Sequence, residues 1–410
     1  MDIRNILDII SENSRPVKQK TPVSGGFGLP AMSLENFLLG AGVEPQEVEV
    51  DEAKLAAPAR PFPKDELTKY LSRTLGTDTG KVNKAGGKIR KSEKTKQDKF
   101  TMPYIHNKNV PIVDEENKEY DLEKLRAMIT KRPAKVLKQN EKMQHSDGTA
   151  SAFYNIGLPA LKGLAVDEDT GEFVIIDTCP GAGACQTYCY AMKGGYIMWT
   201  SPSLEQSKLL NFLYNDPQGF MDMLGNEIEA QSKKLTKIDN KKGTKTKLII
   251  RWHDAGDFFS PEYLKYAYDL AKKYPDVSFY AYTKLANVAQ GKAPNNFKMN
   301  YSMGAKPKEE QQIDFATTKN SRVVPEVLFK DVLDRVEGKL VYKDQSSINA
   351  LKARLAAKYS VKPDSILTYD EMMKRPVSNE KGKYNVIVKP GDGDDSANRN
   401  DVLNTFLLMH

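Results

Sequence analysis

Apolar and polar positions divide the chain near residue 130. Before it, apolar residues come in short, isolated groups. Ile3 to Ile10 suits a short helix, and Ser33 to Leu39 suits another with Ser33 as N-cap. Pro22 to Pro30, with Gly25, Gly26 and Gly28, reads as loop, and Ala56 to Pro63 as an extended Pro/Ala segment. Asp121 to Thr130 predicts a helix broken by Pro133. Residues 1–130 are therefore expected to form a partly disordered appendage, with a few segments docked on the main body.

From Ser151 the pattern is denser. Glu172 to Asp177, Lys247 to Trp252, Val277 to Tyr282, Phe297 to Met303, Leu340 to Lys343 and Asn385 to Lys389 read as strands. Ser203 to Tyr214, Gly219 to Lys233, Pro261 to Lys273 and Ser346 to Tyr359 read as helices with a period near 3.6. Ser260 is the natural N-cap of the third, with Pro261 at its first position. Strand–helix–strand alternation at this spacing predicts a parallel sheet with right-handed crossovers in an α/β domain over residues 131–410.

Composition narrows the class. The 410 residues include 61 Lys and Arg, 54 Asp and Glu, four His and three Cys, with a formal net charge of +7. There is no apolar run of membrane-spanning length, so no membrane span is expected. Met1-Asp2-Ile3-Arg4 does not open a secretory signal. Three cysteines in so long a chain do not make a disulfide scaffold, so a reduced, cytoplasmic setting is expected. The charge is uneven: Lys81 to Lys99 holds eight basic residues against Glu93 and Asp98. That stretch is either a solvated linker or a basic arm for nucleic acid.

All three cysteines fall in one loop, Cys179-Pro180-Gly181-Ala182-Gly183-Ala184-Cys185-Gln186-Thr187-Tyr188-Cys189-Tyr190. Three buried apolar thiols would suit a packed element better than this Gly-rich loop. Zinc would need a fourth ligand and commonly takes closer cysteine pairs. A nucleophilic Cys would want a His partner, and none is near in sequence. An iron–sulfur cluster fits best: a [4Fe–4S] cubane held by Cys179, Cys185 and Cys189 leaves one iron open to a substrate, cofactor or further side chain. The glycines are expected to let backbone N–H groups approach the cluster.

A second constellation, Arg251-Trp252-His253-Asp254-Ala255-Gly256-Asp257, ends the next strand. A third, Thr283-Lys284 with Asn287 beyond, ends the one after. Reactive groups gather at such carboxyl ends. His253, Asp257 and Lys284 are the catalytic candidates, with capping and loop roles as the plainer reading. The Lys389-Pro390-Gly391-Asp392-Gly393-Asp394-Asp395 segment lacks the closing Glu of an EF-hand. It reads as a solvated turn or a polar-ligand loop. His410 ends the chain.

The Cys loop with Cys189-Tyr190-Ala191 and Gly194-Gly195-Tyr196, then Gly256-Asp257-Phe258-Phe259-Ser260 and Tyr282-Thr283-Lys284, resembles the phage and plasmid gene-product-88 family over about Val136 to His410. A phage-encoded member would work in the host cytoplasm. More distantly, the order of the three constellations is similar to the radical S-adenosylmethionine (SAM) enzymes, although C-x5-C-x3-C and Asp257 depart from their usual pattern. That resemblance implies a partial (βα)6-type barrel with one [4Fe–4S] cluster, SAM as cofactor and an electron donor yet to be identified. Gly256 and Asp257 would face the methionine amino group, Thr283 would join the cofactor site, and Tyr190 or Tyr188 would pack on the adenine. Three functions follow: a radical-SAM-like enzyme on an unknown substrate, a nucleic-acid-associated protein with a structural or redox cluster, and a zinc-stabilised interaction module.

Overall fold

The computed structural model describes residues 59–61, 112–114, 119–120, 122–139, 151–187, 189, 191, 200–337, 339–393 and 395–408. The expected helices at Ile3–Ile10 and Ser33–Leu39, the Lys81–Lys99 arm, Tyr188, Tyr190 and His410 lie outside them.

Ten strands build the body: β1 (Ser151–Ile156), β2 (Gly163–Val166), β3 (Phe173–Ile176), β4 (Lys247–Trp252), β5 (Ser278–Thr283), β6 (Phe297–Ser302), β7 (Asn320–Val324), β8 (Ile366–Thr368), β9 (Tyr384–Val388) and β10 (Val402–Leu408). Among the described residues, five longer helices accompany them: α1 (Leu122–Thr130), α2 (Thr200–Asn215), α3 (Pro217–Lys242), α4 (Pro261–Lys273) and α5 (Gln345–Tyr359). Eight of the strands form one sheet in the order β1-β4-β5-β6-β7-β10-β9-β8. Every neighbouring pair in it is parallel.

That order departs from the sequential order of the partial (βα)6-type barrel expected above. In a regular βα barrel each strand is added beside its predecessor. Here the progression holds from β4 to β7; β8 then lies at the far edge, and β9 and β10 return toward β7. The structure shows a mixed α/β fold with a parallel eight-stranded sheet. Two expected strands also belong elsewhere. Phe173–Ile176 pairs antiparallel with Gly163–Val166 and with Ala59–Pro61 in a separate small sheet. Lys339–Tyr342 forms an antiparallel hairpin with Leu333–Val336.

The sheet is parallel because helices cover it and bury its apolar side chains. Leu248, Ile250, Trp252, Phe279, Ala281, Phe297 and Met299 point to one side and pack with Leu213, Phe220, Leu224, Ile228, Tyr263 and Ala267 of α2, α3 and α4. Each large side chain fully buried this way contributes roughly 1.5–3 kcal/mol. Val324, Ile387, Phe406 and Leu408 make a second core with Leu351 and Leu355 of α5. Helix ends are fixed locally. Asp216 accepts the Gly219 N–H at the start of α3, and Gly243 closes that helix with φ of 64°. Ser260 accepts the Tyr263 N–H at the start of α4, as expected from its N-cap position. No helix among the described residues is long and apolar enough to cross a membrane.

Candidate metal and cofactor site

The Cys loop follows β3, which lies outside the parallel sheet, yet it is laid across the carboxyl ends of the parallel strands. Thr178 Oγ1 donates to the Pro159 carbonyl beyond β1 at 2.6 Å, and the Thr178 carbonyl accepts the Asp257 N–H beyond β4 at 2.7 Å. Beyond β6, the Gly304 carbonyl accepts both the Gly183 N–H at 3.1 Å and the Cys185 N–H at 2.9 Å, and the Lys306 N–H donates to the Gly181 carbonyl at 2.9 Å. Three strand ends thus hold one loop.

This docking explains the loop glycines. A Cβ on Gly181 would sit 2.6 Å from the Lys284 carbonyl oxygen, and one on Gly183 would sit 2.0 Å from that of Ala305. Both glycines permit backbone-to-backbone contact with the strand-end loops, a role distinct from the expected approach to a cluster. Gly256, at φ 89°, is similarly constrained, because a Cβ there would meet the Leu158 Cβ at 2.9 Å.

The sulfurs sit among donors. Cys179 Sγ accepts the Leu161 N–H at 3.2 Å. The Lys284 ammonium is close enough to the Cys185 thiol to favour its ionised form. Burial pushes the Cys179 thiol well above its usual range and Asp257 adds to the rise, while the Leu161 N–H opposes it. Burial also raises Cys185, and Lys284 opposes. Cys185 and Cys189 both act electrostatically on Cys179, so the three thiols share one locality. Among the described residues, no three His, Cys, Asp or Glu side chains are gathered on one point as a single ion would require.

Asp257 and Lys284 are brought together, as expected from the ends of β4 and β5. Asp257 is 3% exposed. Its Oδ1 accepts the Phe258 N–H at 2.7 Å and its Oδ2 accepts the Lys284 N–H at 2.8 Å. Burial raises it to about 6, and hydrogen bonds from Lys284, Thr283 and Phe258 oppose that shift. Lys284 Nζ donates to the Ser302 carbonyl at 3.1 Å, Ser302 Oγ at 2.8 Å and the Met303 carbonyl at 2.9 Å. Thr283 is buried beside them, and its Oγ1 accepts the Leu285 N–H.

His253 is placed differently. Its Nε2 meets Tyr263 Oη at 2.7 Å, and the same oxygen accepts Trp252 Nε1–H at 2.9 Å. The ring packs edge-on against Phe258. Burial and Arg251 lower it to about 3, so it is neutral, and its backbone takes the left-handed φ of 66°. Asp254 receives Asn155 Nδ2 at 2.7 Å, on the β1 side of the same loop. In the segment that follows β9, Asp392 is tied to the Lys389 ammonium and to the Lys389 N–H.

Sequence reasoning missed Leu161, Ser302, Gly304, Ala305 and Glu310. Glu310 Oε1 accepts the Gly304 and Ala305 N–H groups at 2.6 and 3.1 Å and so shapes the loop that receives the Cys segment. No motif marks these residues; only the fold brings them to the cysteines. No curated protein and no solved structure matches the chain. The sequence profile described as Gene product 88 matches residues 124–355, more than half of the protein, spanning the Cys loop, Asp257 and Lys284. The chain belongs to the Gene product 88 family.

Proposed function

We propose that this is an iron–sulfur protein in which Cys179, Cys185 and Cys189 hold a [4Fe–4S] cluster at the carboxyl edge of the parallel sheet. The observation that carries the reading is the treatment of the sulfurs. The Leu161 N–H donates to Cys179, and the Lys284 ammonium is close enough to Cys185 to favour its ionised form, in a loop tied down from three strand ends. Buried thiols gain little from such donors, whereas thiolates that ligate iron are stabilised and tuned by them. A cubane spaces its ligands over several ångströms, so its thiolates need not converge on one point. With three cysteines in the chain, one iron would lack a protein thiolate.

In this reading the chain's own groups have separate tasks. Lys284 sets a positive charge beside Cys185 and braces the ends of β5 and β6. Asp257 ties the β4 end to the β5 end. Leu161 and Gly304 fix the loop that carries the thiols. A bound cluster would supply electron transfer and a Lewis-acidic open iron.

The finer proposal is a radical-SAM-like enzyme, with SAM as the ligand of that iron and Gly256, Asp257 and Thr283 nearest it. Its support is the adjacency of Asp257 to the Cys loop, through the Asp257 N–H on Thr178. Electron paramagnetic resonance of the anaerobically reduced protein, with and without SAM, tests it. A cluster signal perturbed by SAM is the expected result. A cluster signal indifferent to SAM would remove the enzyme reading and leave a structural or redox cluster.

A further inference from the structure

The opposite edge of the sheet has a different character. Between residues 233 and 247 there are seven lysines (Lys233, Lys234, Lys237, Lys241, Lys242, Lys245 and Lys247) against Asp239 alone. All seven are exposed. Asp239 is occupied locally, accepting from the side chains of Thr244 and Thr246 and from the Thr246 N–H. Among the described residues, only Lys233 has a carboxylate within ion-pair reach, Glu229 at 3.8 Å.

On α3 these residues fall in two rows of i, i+4 spacing. Lys233, Lys237 and Lys241 form one row; Ser232, Thr236 and Asn240 form the next, and together they make one open face of the helix. Cations about 6 Å apart along the helix therefore run beside neutral hydrogen-bonding groups.

Favourable charges at a helix carboxyl end would account for Lys241 and Lys242 alone. The fold adds like charges from other segments. Lys247 opens β4, Lys298 lies in β6 and Lys381 precedes β9. Burial lowers the Lys298 amine, and the ammoniums of Lys247 and Lys381 lower it further. Lysines held close enough to repel one another, with few carboxylates among them, favour the approach of an external polyanion.

We infer that the α3 lysine row, with Lys245, Lys247 and Lys381 at the amino edge of the sheet, binds the phosphate backbone of nucleic acid without regard to sequence. A membrane surface fits less well. Interfacial helices need an apolar face toward lipid, and the apolar face of α3, with Phe220, Leu224 and Ile228, is buried in the core. Lysines offer point charges rather than the flat bidentate fork that reads bases, which agrees with backbone contact. This surface shares no residue with Lys81–Lys99 or with the Cys loop.

The test is fluorescence anisotropy of a labelled random-sequence single strand and its duplex against the full chain over a salt series. The variants are K233Q/K237Q/K241Q and a deletion of residues 81–99, each with its thermal transition measured. Three lost contacts should reduce the slope of log K against log salt by about 2–3. The triple variant should also bind on the order of ten-fold or more weaker at low salt, with an unchanged thermal transition. Wild-type affinity and slope in the triple variant would overturn the inference. So would binding lost only with residues 81–99, or binding to phosphatidylserine vesicles but to neither nucleic acid.

Discussion

Leu161 and Cys179 hold each other reciprocally. The Leu161 N–H donates to Cys179 Sγ at 3.2 Å, and the Cys179 N–H donates to the Leu161 carbonyl at 3.3 Å. Leu161 meets this geometry with φ of 64°, a left-handed conformation unusual for a residue with a Cβ. Strain of that kind persists where surrounding contacts impose it. The pair clamps the start of the Cys loop to the end of β1 while presenting a donor to the sulfur.

Cys179→Ala should remove both a ligand and the acceptor of that N–H. Leaving the Leu161 N–H without a partner costs about 1–3 kcal/mol, read as a lower denaturation midpoint. Metal content should fall in the same preparation. A variant that keeps its iron would take Cys179 out of the ligand set.

Gly183→Ala tests whether loop docking matters apart from ligand chemistry. All three thiols remain, but the new methyl would lie 2.0 Å from the Ala305 carbonyl oxygen. The loop must then lift from the β6 end, costing about 1–3 kcal/mol. Metal retention should drop in proportion. Wild-type stability and metal content together would show that the loop is not docked this way.

Lys284→Met keeps most of the side chain's length and deletes its charge. The account predicts metal retained but a reduction potential moved to a more negative value, because a cation beside Cys185 favours the more reduced, more negative state. A potential equal to the wild type would separate Lys284 from the metal site and leave it as a brace for Ser302 and Met303.

His253 gives a pH dependence of known sign. Its folded pKa is about 3 against 6.5 ordinarily, so between those values the unfolded chain binds more protons than the fold. Stability from this group is complete above about pH 6.5 and is lost as pH falls toward 3, at up to about 1.4 kcal/mol per pH unit. Asp257, raised to about 6, acts in the opposite sense between about pH 4 and 6. Comparing His253→Gln with the wild type isolates the histidine. Urea midpoints from pH 4 to 7 should rise more steeply in the wild type; parallel curves would contradict a buried neutral His253.

The sequence made the chemistry of the site easier to see than its scaffold. Cys179, Cys185 and Cys189 cluster within one short loop, and the Asp257 and Lys284 segments end strands that periodicity identifies. β1, β2, β7, β8 and β10 went unseen. Asn320 to Val324 opens with Asn-Ser-Arg, and Val402 to Leu408 carries Asn404 and Thr405; these buried polar residues break the apolar run that marks a central strand. Phe173 to Ile176 is as apolar as any parallel strand, being buried on both faces of its own small sheet. Sequence could not tell that it pairs antiparallel with Gly163–Val166. The reversal of strand order after β7 depends on which edge the chain returns to, and local pattern does not encode that. His253 carries a catalytic residue type, but its partner Tyr263, the third residue of α4, holds it against the aromatic core.

The most direct measurement is iron, acid-labile sulfide and zinc per chain after anaerobic purification. The account predicts about four iron and four sulfide, with little zinc. Stoichiometric zinc without sulfide, or protein with neither metal nor sulfide after anaerobic reconstitution, would contradict it.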